Sequence, residues 1–349
     1  MKENETKILP LHYSERGFHV GPENRMLDVI IQWVLEGAPV VSENAPTMPI
    51  TFFGPSGCGK SHFVYGLYQR WKKEHSTRKP LLQTAHDFVR QYTGALESKT
   101  IDQFRNRLRN ASLWVVDRLE DFAGHPAAME EYLYSLDCSM SQDNIILITS
   151  NGFPGELSFL PQPLIARIIG GLTVQIQPPE LKTRTAMIRE ITKNTGMQLS
   201  QKSIDILAEP QSQSYQSLCG MVSRLKFATG NQVPNVAFVK KFLKNDCELM
   251  QPTLQEVLRY TAKHFSLKQA DLKGKSRISG IARARAVAIF LSRQLTDKSL
   301  KEIGQFYGKR DHKTIAHHCE EFEAKFAADT TLRCSVSRIR EMIAYAPKR

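Results

Sequence analysis

Short unbroken apolar runs alternate with stretches of helical spacing through the first half of the chain. The runs PITFF (49–53), LLQTA (81–85), LWVV (113–116), IILIT (145–149) and LTVQI (172–176) each have the length of a strand. Between them, HFVYGLYQRWKK (62–73), residues 86–109 and residues 126–137 carry the spacing of amphipathic helices. Alternating strands and helices predict a mostly parallel sheet covered on both faces. An earlier helix is expected over MLDVIIQWVLEG (26–37), before APTMP (45–49) breaks the chain.

The rhythm changes after PPE at 178–180. From Leu181 to about Lys244 only helical periodicity is present, which predicts a small all-helical domain. Pro252 marks a further boundary, and the remainder reads as helical and basic. Three domains are therefore expected, over 1–177, 178–250 and 251–349. A chain of 349 residues is long enough to give each a core.

Charge separates the last domain from the others. Residues 252–349 carry 20 Lys/Arg against 10 Asp/Glu, so nearly all of the net +12 lies there. That concentration points to a polyanionic partner. No apolar run approaches bilayer length, so no membrane span is expected. MKENETKILPLHYSERGF lacks the apolar stretch of a secretory signal, which makes the cytosol the default compartment. The six cysteines form no C-x-x-C pair and no zinc-ligand spacing.

Gly54-Pro55-Ser56-Gly57-Cys58-Gly59-Lys60-Ser61 fits the phosphate-loop pattern G-x-x-x-x-G-K-[ST], between a strand and a helix. Gly54, Gly57 and Gly59 let successive N–H groups face one point, and Ser56 and His62 complete the candidate cofactor-binding stretch. Lys60 is expected at the β- and γ-phosphates of ATP or ADP, and Ser61 at Mg²⁺. Asp117, at the end of LWVV, is the second candidate Mg²⁺ ligand. A second acid usually follows and orients the attacking water, yet the next residue is Arg118, which stays protonated. Glu120 and Asp121 are expected to point elsewhere, so weak or absent hydrolysis is expected.

Near the C-terminus, residues 299–308 read as a short helix with a glycine stop, and Lys309-Arg310-Asp311 as a turn. Residues 312–326 read as a second helix, with Ile315, Cys319, Phe322 and Phe326 on one face. This is a helix-turn-helix, whose second helix enters the major groove N-terminus first. Asp311, His312, Lys313 and Thr314 are then nearest the bases of double-stranded DNA.

With these motifs the sequence resembles the bacterial chromosomal replication initiator family, DnaA, over about residues 18–343. Phe18-His19-Val20-Gly21-Pro22-Glu23-Asn24 is similar to the family's motif just before the ATPase core. Ile148-Thr149-Ser150-Asn151 is similar to sensor 1, which implies that Asn151 feels the γ-phosphate. Residues 167–180 are similar to the segment carrying the arginine finger, which implies that Arg167 reaches a neighbouring subunit's ATP. Tyr215–Gly220 stands where the family has sensor 2, with Gln216 in place of arginine. Lys273–Arg285 is similar to the basic loop. There the resemblance implies Arg277 in the minor groove and Lys275, Arg283 and Arg285 on phosphates. It also implies base reading by Asp311, His312 and Thr314, with Lys309 and Arg310 in the turn. Lys313 departs from the usual small hydroxyl residue, which adds a phosphate contact or alters base preference. Residues 86–109 fill the place of helices that hold single-stranded DNA in the family's filament. The resemblance begins at about Phe18, so a counterpart of the family's N-terminal domain is not expected in this sequence.

The resemblance implies an AAA+ P-loop core with a parallel sheet, a helical lid and a helix-turn-helix domain. It implies a cytoplasmic, nucleoid-associated initiator that binds origin repeats and assembles under ATP control. A DNA-binding regulator that kept the fold and lost ATP turnover is the alternative, favoured by Arg118 and Gln216. Plainer roles stay open as well: a turn aspartate at Asp117, a strand-end cap at Asn151, an intramolecular pair at Arg167 and a helix cap at Asp311.

Overall fold

The computed structural model describes residues 7–9, 18–36, 47–142, 144–209, 214–230, 232–250, 252–274, 276, 278–316, 319, 321–322 and 329–344. They form two compact units, Met1–Phe242 and Leu243–Arg349. Lys275, Arg277 and Phe326 lie outside the described residues.

The first unit opens with a feature that the periodicity gave no sign of. Strand β1 (Lys7–Leu9) pairs antiparallel with β2 (Phe18–Val20). Helix α1 (Met26–Glu36) comes next and buries Leu27, Ile30, Ile31 and Val34. The central sheet contains β3 (Ile50–Phe53), β4 (Pro80–Thr84), β5 (Leu113–Asp117), β6 (Ile145–Ser150) and β7 (Leu172–Gln175). Its order is β4-β5-β6-β3-β7, and every pairing is parallel. β5 and β6 are buried at every position, as expected for strands covered on both faces.

Two cores cover the sheet. One core joins Leu27, Ile30, Ile31 and Val34 of α1 and Phe63, Val64, Leu67 and Trp71 of α2 (Lys60–Glu74) to Ile50, Phe52, Leu113 and Val115 of the sheet. The other draws on α3 (Ala85–Glu97), α4 (Ile101–Arg109), α5 (Pro126–Met140) and α6 (Gln162–Gly170). There Phe88 meets Phe104, Phe122 and Tyr132 edge-on, with centroids 5.3–5.5 Å apart.

Helices α7 (Leu181–Thr195), α8 (Gln201–Ala208) and α9 (Tyr215–Thr229) form the helical lid with the start of α10 (Val236–Met250), which runs across the division between the two units. Buried Arg184 staples it, donating from Nε to Ala208 O (2.8 Å) and from NH1 to Pro179 O (2.7 Å). Residues 19–24 clamp the start of the lid. Asn24 exchanges two hydrogen bonds with the backbone of Gln177, at 2.8 and 3.0 Å. The Glu23 carboxylate accepts from Glu180 N and Thr183 Oγ1, both at 3.2 Å, at the positive end of α7. A Cβ on Gly21 would lie 2.0 Å from Thr183 Oγ1, so any larger residue would displace the Glu23–Thr183 contact. His19 contacts Glu190 and stacks on Tyr215.

The second unit contains α11 (Leu254–His264), α12 (Gln269–Lys273), α13 (Ser279–Leu295) and α14 (Leu300–Phe306). Helix α15 opens at residues 312–316, and α16 (Thr330–Ala344) ends the described chain. Capping boxes start α11 (Thr253, Glu256) and α14 (Ser299, Glu302). Leu258, Leu272, Ala288, Ile303, Tyr307 and Ile315 form one core, and Val257, Phe290, Leu291, Val336 and Ile339 another.

Arg285 corrects the sequence expectation of a phosphate contact. Its side chain is buried, and its fork donates to the carbonyls of Leu272 (2.9 Å), Ser276 (2.9 Å) and Asp271 (3.0 Å). Those are carbonyls at the end of α12 and in the basic loop, which a planar guanidinium can serve together. Arg285→Ala should cost about 1–3 kcal/mol of stability in urea unfolding of the full chain. Arg285→Lys should recover little of it, because one ammonium cannot span three carbonyls. Arg283→Ala, at an exposed pair, should cost less than about 1 kcal/mol. Equal shifts for the three variants would refute the structural role.

Candidate nucleotide site and DNA-binding surface

The carboxyl ends of β3, β5 and β6 meet at one edge of the sheet, where open α/β folds bind ligands. After β3 the chain turns through Gly54 (φ +157°), Gly57 (φ +82°) and Gly59 (φ +105°) into the first turn of α2. A Cβ on Gly54 would lie 2.3 Å from Ile176 O, and one on Gly59 would lie 3.0 Å from the Phe18 ring. The curl is therefore restricted to glycine at both points. Buried Lys60 sits inside it, donating to Gly54 O (2.8 Å) and Pro55 O (3.0 Å). Ser56 is exposed on the loop, and His62 tilts against Phe18 with centroids 5.8 Å apart. Burial pushes the Cys58 thiol up, against the opposing pull of the Lys60 ammonium.

Ser61 Oγ donates to Asp117 Oδ1 at 3.0 Å, so the two expected Mg²⁺ ligands are already adjacent. Thr149 Oγ1 donates to the same carboxylate oxygen and accepts from Arg118 N at 2.9 Å. The residues present fit a Mg²⁺-nucleotide: a glycine curl of N–H donors, a lysine inside it, and a hydroxyl beside a buried carboxylate.

Arg118 stands at φ 64°, ψ 64°, and this left-handed step turns its side chain outward to an ion pair with Asp121 at 3.1 Å. The next turn, Leu119–Phe122, lies beside the end of β6. Glu120 Oε2 consequently accepts from Asn151 N at 3.3 Å. This overturns the expectation that Glu120 points away. Burial pushes its carboxyl above the ordinary range, and the Lys60 ammonium pulls against that shift from within the same site. Glu120 is set aside on sequence alone because the positive φ at Arg118 has no sequence mark, and Thr149 is named there only as part of the sensor 1 motif.

On the lid side, a Cβ on Gly57 would lie 3.2 Å from Ser214 Cβ, so the start of α9 abuts the phosphate loop. Gln216 lies exposed in the first turn of that helix. Arg167, on α6, is half exposed and makes a two-pronged pair with Asp137 at 2.7 and 3.4 Å. On α4, Arg105 and Arg109 flank exposed Tyr134, with guanidinium carbons 5.3 and 5.5 Å from its centroid. Arg105 also pairs with Glu131 at 2.7 Å, and Arg90, on α3, with Asp87 at 3.2 Å.

In the second unit the turn between α14 and α15 is tight. Arg310 N donates to Gly304 O at 2.9 Å, and a Cβ on Gly304 would lie 2.3 Å from Arg310 O. Arg310 is partly turned inward, its guanidinium donating to Tyr307 O and Gly274 O, both at 3.0 Å. Lys309 is exposed at φ 55°. Asp311, His312, Lys313 and Thr314 are exposed in succession, and Ile315 after them is buried. His312 Nδ1 lies 2.7 Å from Asp311 Oδ1. Arg283 is half exposed and pairs with Asp329 at 3.2 Å.

The profile "Bacterial DnaA ATPase domain" matches residues 11–175, and "Bacterial dnaA protein helix-turn-helix" matches 254–321. The chromosomal replication initiator protein DnaA of Lactiplantibacillus plantarum is 30% identical over 339 residues, covering 95% of this chain and 73% of its own. That of Lactobacillus helveticus is 30% identical over 301 residues, covering 84% of this chain and 66% of its own. The chain thus spans about two thirds to three quarters of these relatives. Among solved structures, AMPPCP-bound DnaA from Aquifex aeolicus superposes with TM-score 0.59 at 22% identity, covering 93% of this chain and 95% of that one. DnaA bound to AMPPCP and single-stranded DNA gives 0.58 at 22% identity, covering 94% and 96%. These two show the shared fold. No helix among the described residues is long and apolar enough to cross a membrane. With the phosphate loop, the parallel sheet and the helix-turn-helix in this order, the chain belongs to the DnaA family of bacterial replication initiators.

Proposed function

We propose that this chain is an ATP-binding initiator that recognises double-stranded origin repeats and assembles on them under nucleotide control. The observation that carries this reading is the pairing of two sites in one chain. Lys60, Ser61, Asp117 and Asn151 converge on one sheet edge, and a basic helix-turn-helix presents four consecutive exposed residues. The names of the relatives and the AMPPCP-bound structures support it.

Gly54, Gly57, Gly59 and Lys60 would hold the phosphates, with Ser56 and His62 alongside. Ser61 and Asp117 would hold Mg²⁺, which neutralises charge on the β- and γ-oxygens. Asn151 would report the γ-phosphate. Arg167 would leave Asp137 to reach a neighbouring subunit's nucleotide, making ATP a bridge between copies. On double-stranded DNA, Asp311, His312 and Thr314 would read bases in the major groove. Arg277 would occupy the minor groove. Lys275, Arg283, Lys309 and Lys313 would hold phosphates, and Arg310 would divide its donors between the turn and the backbone. Arg105 and Arg109 around Tyr134 suit single-stranded DNA, where bases stack on aromatic faces. Such a protein acts in the cytoplasm, on the nucleoid.

Lys60→Ala is expected to abolish ATP binding in calorimetry with Mg²⁺; unchanged affinity would overturn the nucleotide site. His312→Ala should weaken binding to the cognate repeat by about 1–3 kcal/mol and leave binding to unrelated duplex nearly unchanged. Equal losses on both DNAs in fluorescence anisotropy would remove its base-reading role. Arg167→Ala should retain ATP affinity but lose ATP-dependent assembly on repeat DNA in sedimentation velocity. Wild-type assembly in that variant would refute the finger. Footprinting on genomic DNA with ATP, ADP and no nucleotide tests the reading as a whole.

A further inference from the structure

The position after Asp117, where a catalytic acid is expected, holds an arginine whose guanidinium faces outward onto Asp121. That pairing engages both the arginine and one of the two acids that come after it. Glu120 is different. The turn Leu119–Phe122 is fixed from below by Leu119 and Phe122, both fully buried in the aromatic core. Anchoring the first and last residues of the turn leaves Glu120 facing the sheet edge. There its Oε2 accepts from the backbone N–H of Asn151, the first residue beyond β6. Asn151 in turn lies one residue beyond Ser150, whose carbonyl accepts from Gly54 N at the mouth of the phosphate loop.

We infer that Glu120 supplies the second acid of the nucleotide site, orienting the attacking water and taking its proton. The inference rests on the proposed nucleotide binding. Its geometric basis is a carboxylate held against the end of β6, on the edge that carries Asp117 and the phosphate loop. The electrostatics agree with this placement. Burial raises the carboxyl's proton affinity, which suits a base, and Lys60 is close enough to oppose that shift. One lone pair is engaged by Asn151 N–H, and a carboxylate has further acceptor capacity for a water O–H.

The step balances without a further reactant. The water oxygen forms a bond to the terminal phosphorus as its proton passes to Glu120. The bond from that phosphorus to the bridging oxygen breaks, and ADP leaves with the electron pair. The proton is then released, giving ADP, inorganic phosphate and one proton. The acid has thus moved three residues along the chain from Asp117 instead of one, and the left-handed step at Arg118 is what lets it reach.

The test compares wild-type full chain, Glu120→Gln, Arg118→Ala and Lys60→Ala, each with Mg²⁺. Three quantities are measured: affinity for ATP and ADP by calorimetry, phosphate release in a single turnover, and affinity for ADP with aluminium fluoride. Glu120→Gln should keep ATP and ADP affinity within about 3-fold, because the amide oxygen still accepts from Asn151 N–H. It should lose about 100-fold in single-turnover rate and lose the tighter binding of ADP with aluminium fluoride. Arg118→Ala should retain the rate and that tighter binding. Three outcomes would overturn the inference. One is Glu120→Gln releasing phosphate within about 3-fold of wild type. Another is Arg118→Ala failing as Glu120→Gln does, and the third is ATP-bound wild type releasing no phosphate. Wild type and Lys60→Ala binding ATP equally would instead overturn the proposed nucleotide binding, which separates the two failures.

Discussion

Burying a carboxylate costs several kcal/mol unless donors or cations meet it, and the nucleotide edge is organised around one such group. Asp117 is 2% exposed. Its Oδ1 receives the hydroxyl of Ser61 from the first turn of α2 and that of Thr149 from β6. Thr149 also accepts from the backbone N–H just after Asp117. Three elements are thereby tied at one oxygen. Removing either hydroxyl would leave a buried charge under-satisfied, which is costlier than a neutral hydrogen bond is worth. The same adjacency keeps Ser61 and Asp117 together before any cation arrives, so less ordering is needed on binding.

The course of the chain beyond β5 depends on that anchor. With Arg118 N committed to Thr149, the backbone leaves β5 at a fixed direction and enters the left-handed region at a residue with a Cβ. Such a step costs about 1–2 kcal/mol, and the burial of Leu119 and Phe122 in the aromatic core offsets it. The turn then brings a carboxylate to the end of β6. At the other side of the sheet, Asn24 and Glu23 fix where the chain enters the lid. Ser214 consequently lies against the phosphate loop.

Features that depend on local pattern were legible in the sequence. The five parallel strands derive from apolar runs of strand length, and the phosphate loop from glycines at fixed spacing. The turn of the helix-turn-helix was legible because Gly308 ends one helical pattern just before another begins. Features that depend on distant partners were not. Arg285 sits among lysines and arginines and looks like a DNA contact, yet its acceptors are three carbonyls up to fourteen residues away. Glu120 looks misplaced by two positions, because its reach depends on a dihedral angle at Arg118. The β1–β2 pair is too short to carry a period. Arg167 shows the converse limit: its motif is readable, while its pair with Asp137, thirty residues distant in sequence, is not.

The inward-turned arginines change how the DNA-binding unit should be understood. A basic domain is easily counted as a set of phosphate contacts, but Arg285 and part of Arg310 donate to the unit's own carbonyls. Arg285 closes the end of α12, and Arg310 ties the turn after α14 to Gly274. Arg285 also ties Ser276 to α13, and the turn that Arg310 holds is the one before α15. Base reading would depend on such fixed geometry, because a bidentate contact must match the edge of one base, whereas a phosphate contact carries no sequence information. Part of the excess positive charge in the last third of the chain thus serves the unit's own structure. On the proposed reading, the exposed row Asp311, His312, Lys313 and Thr314 would contribute the chemistry of recognition.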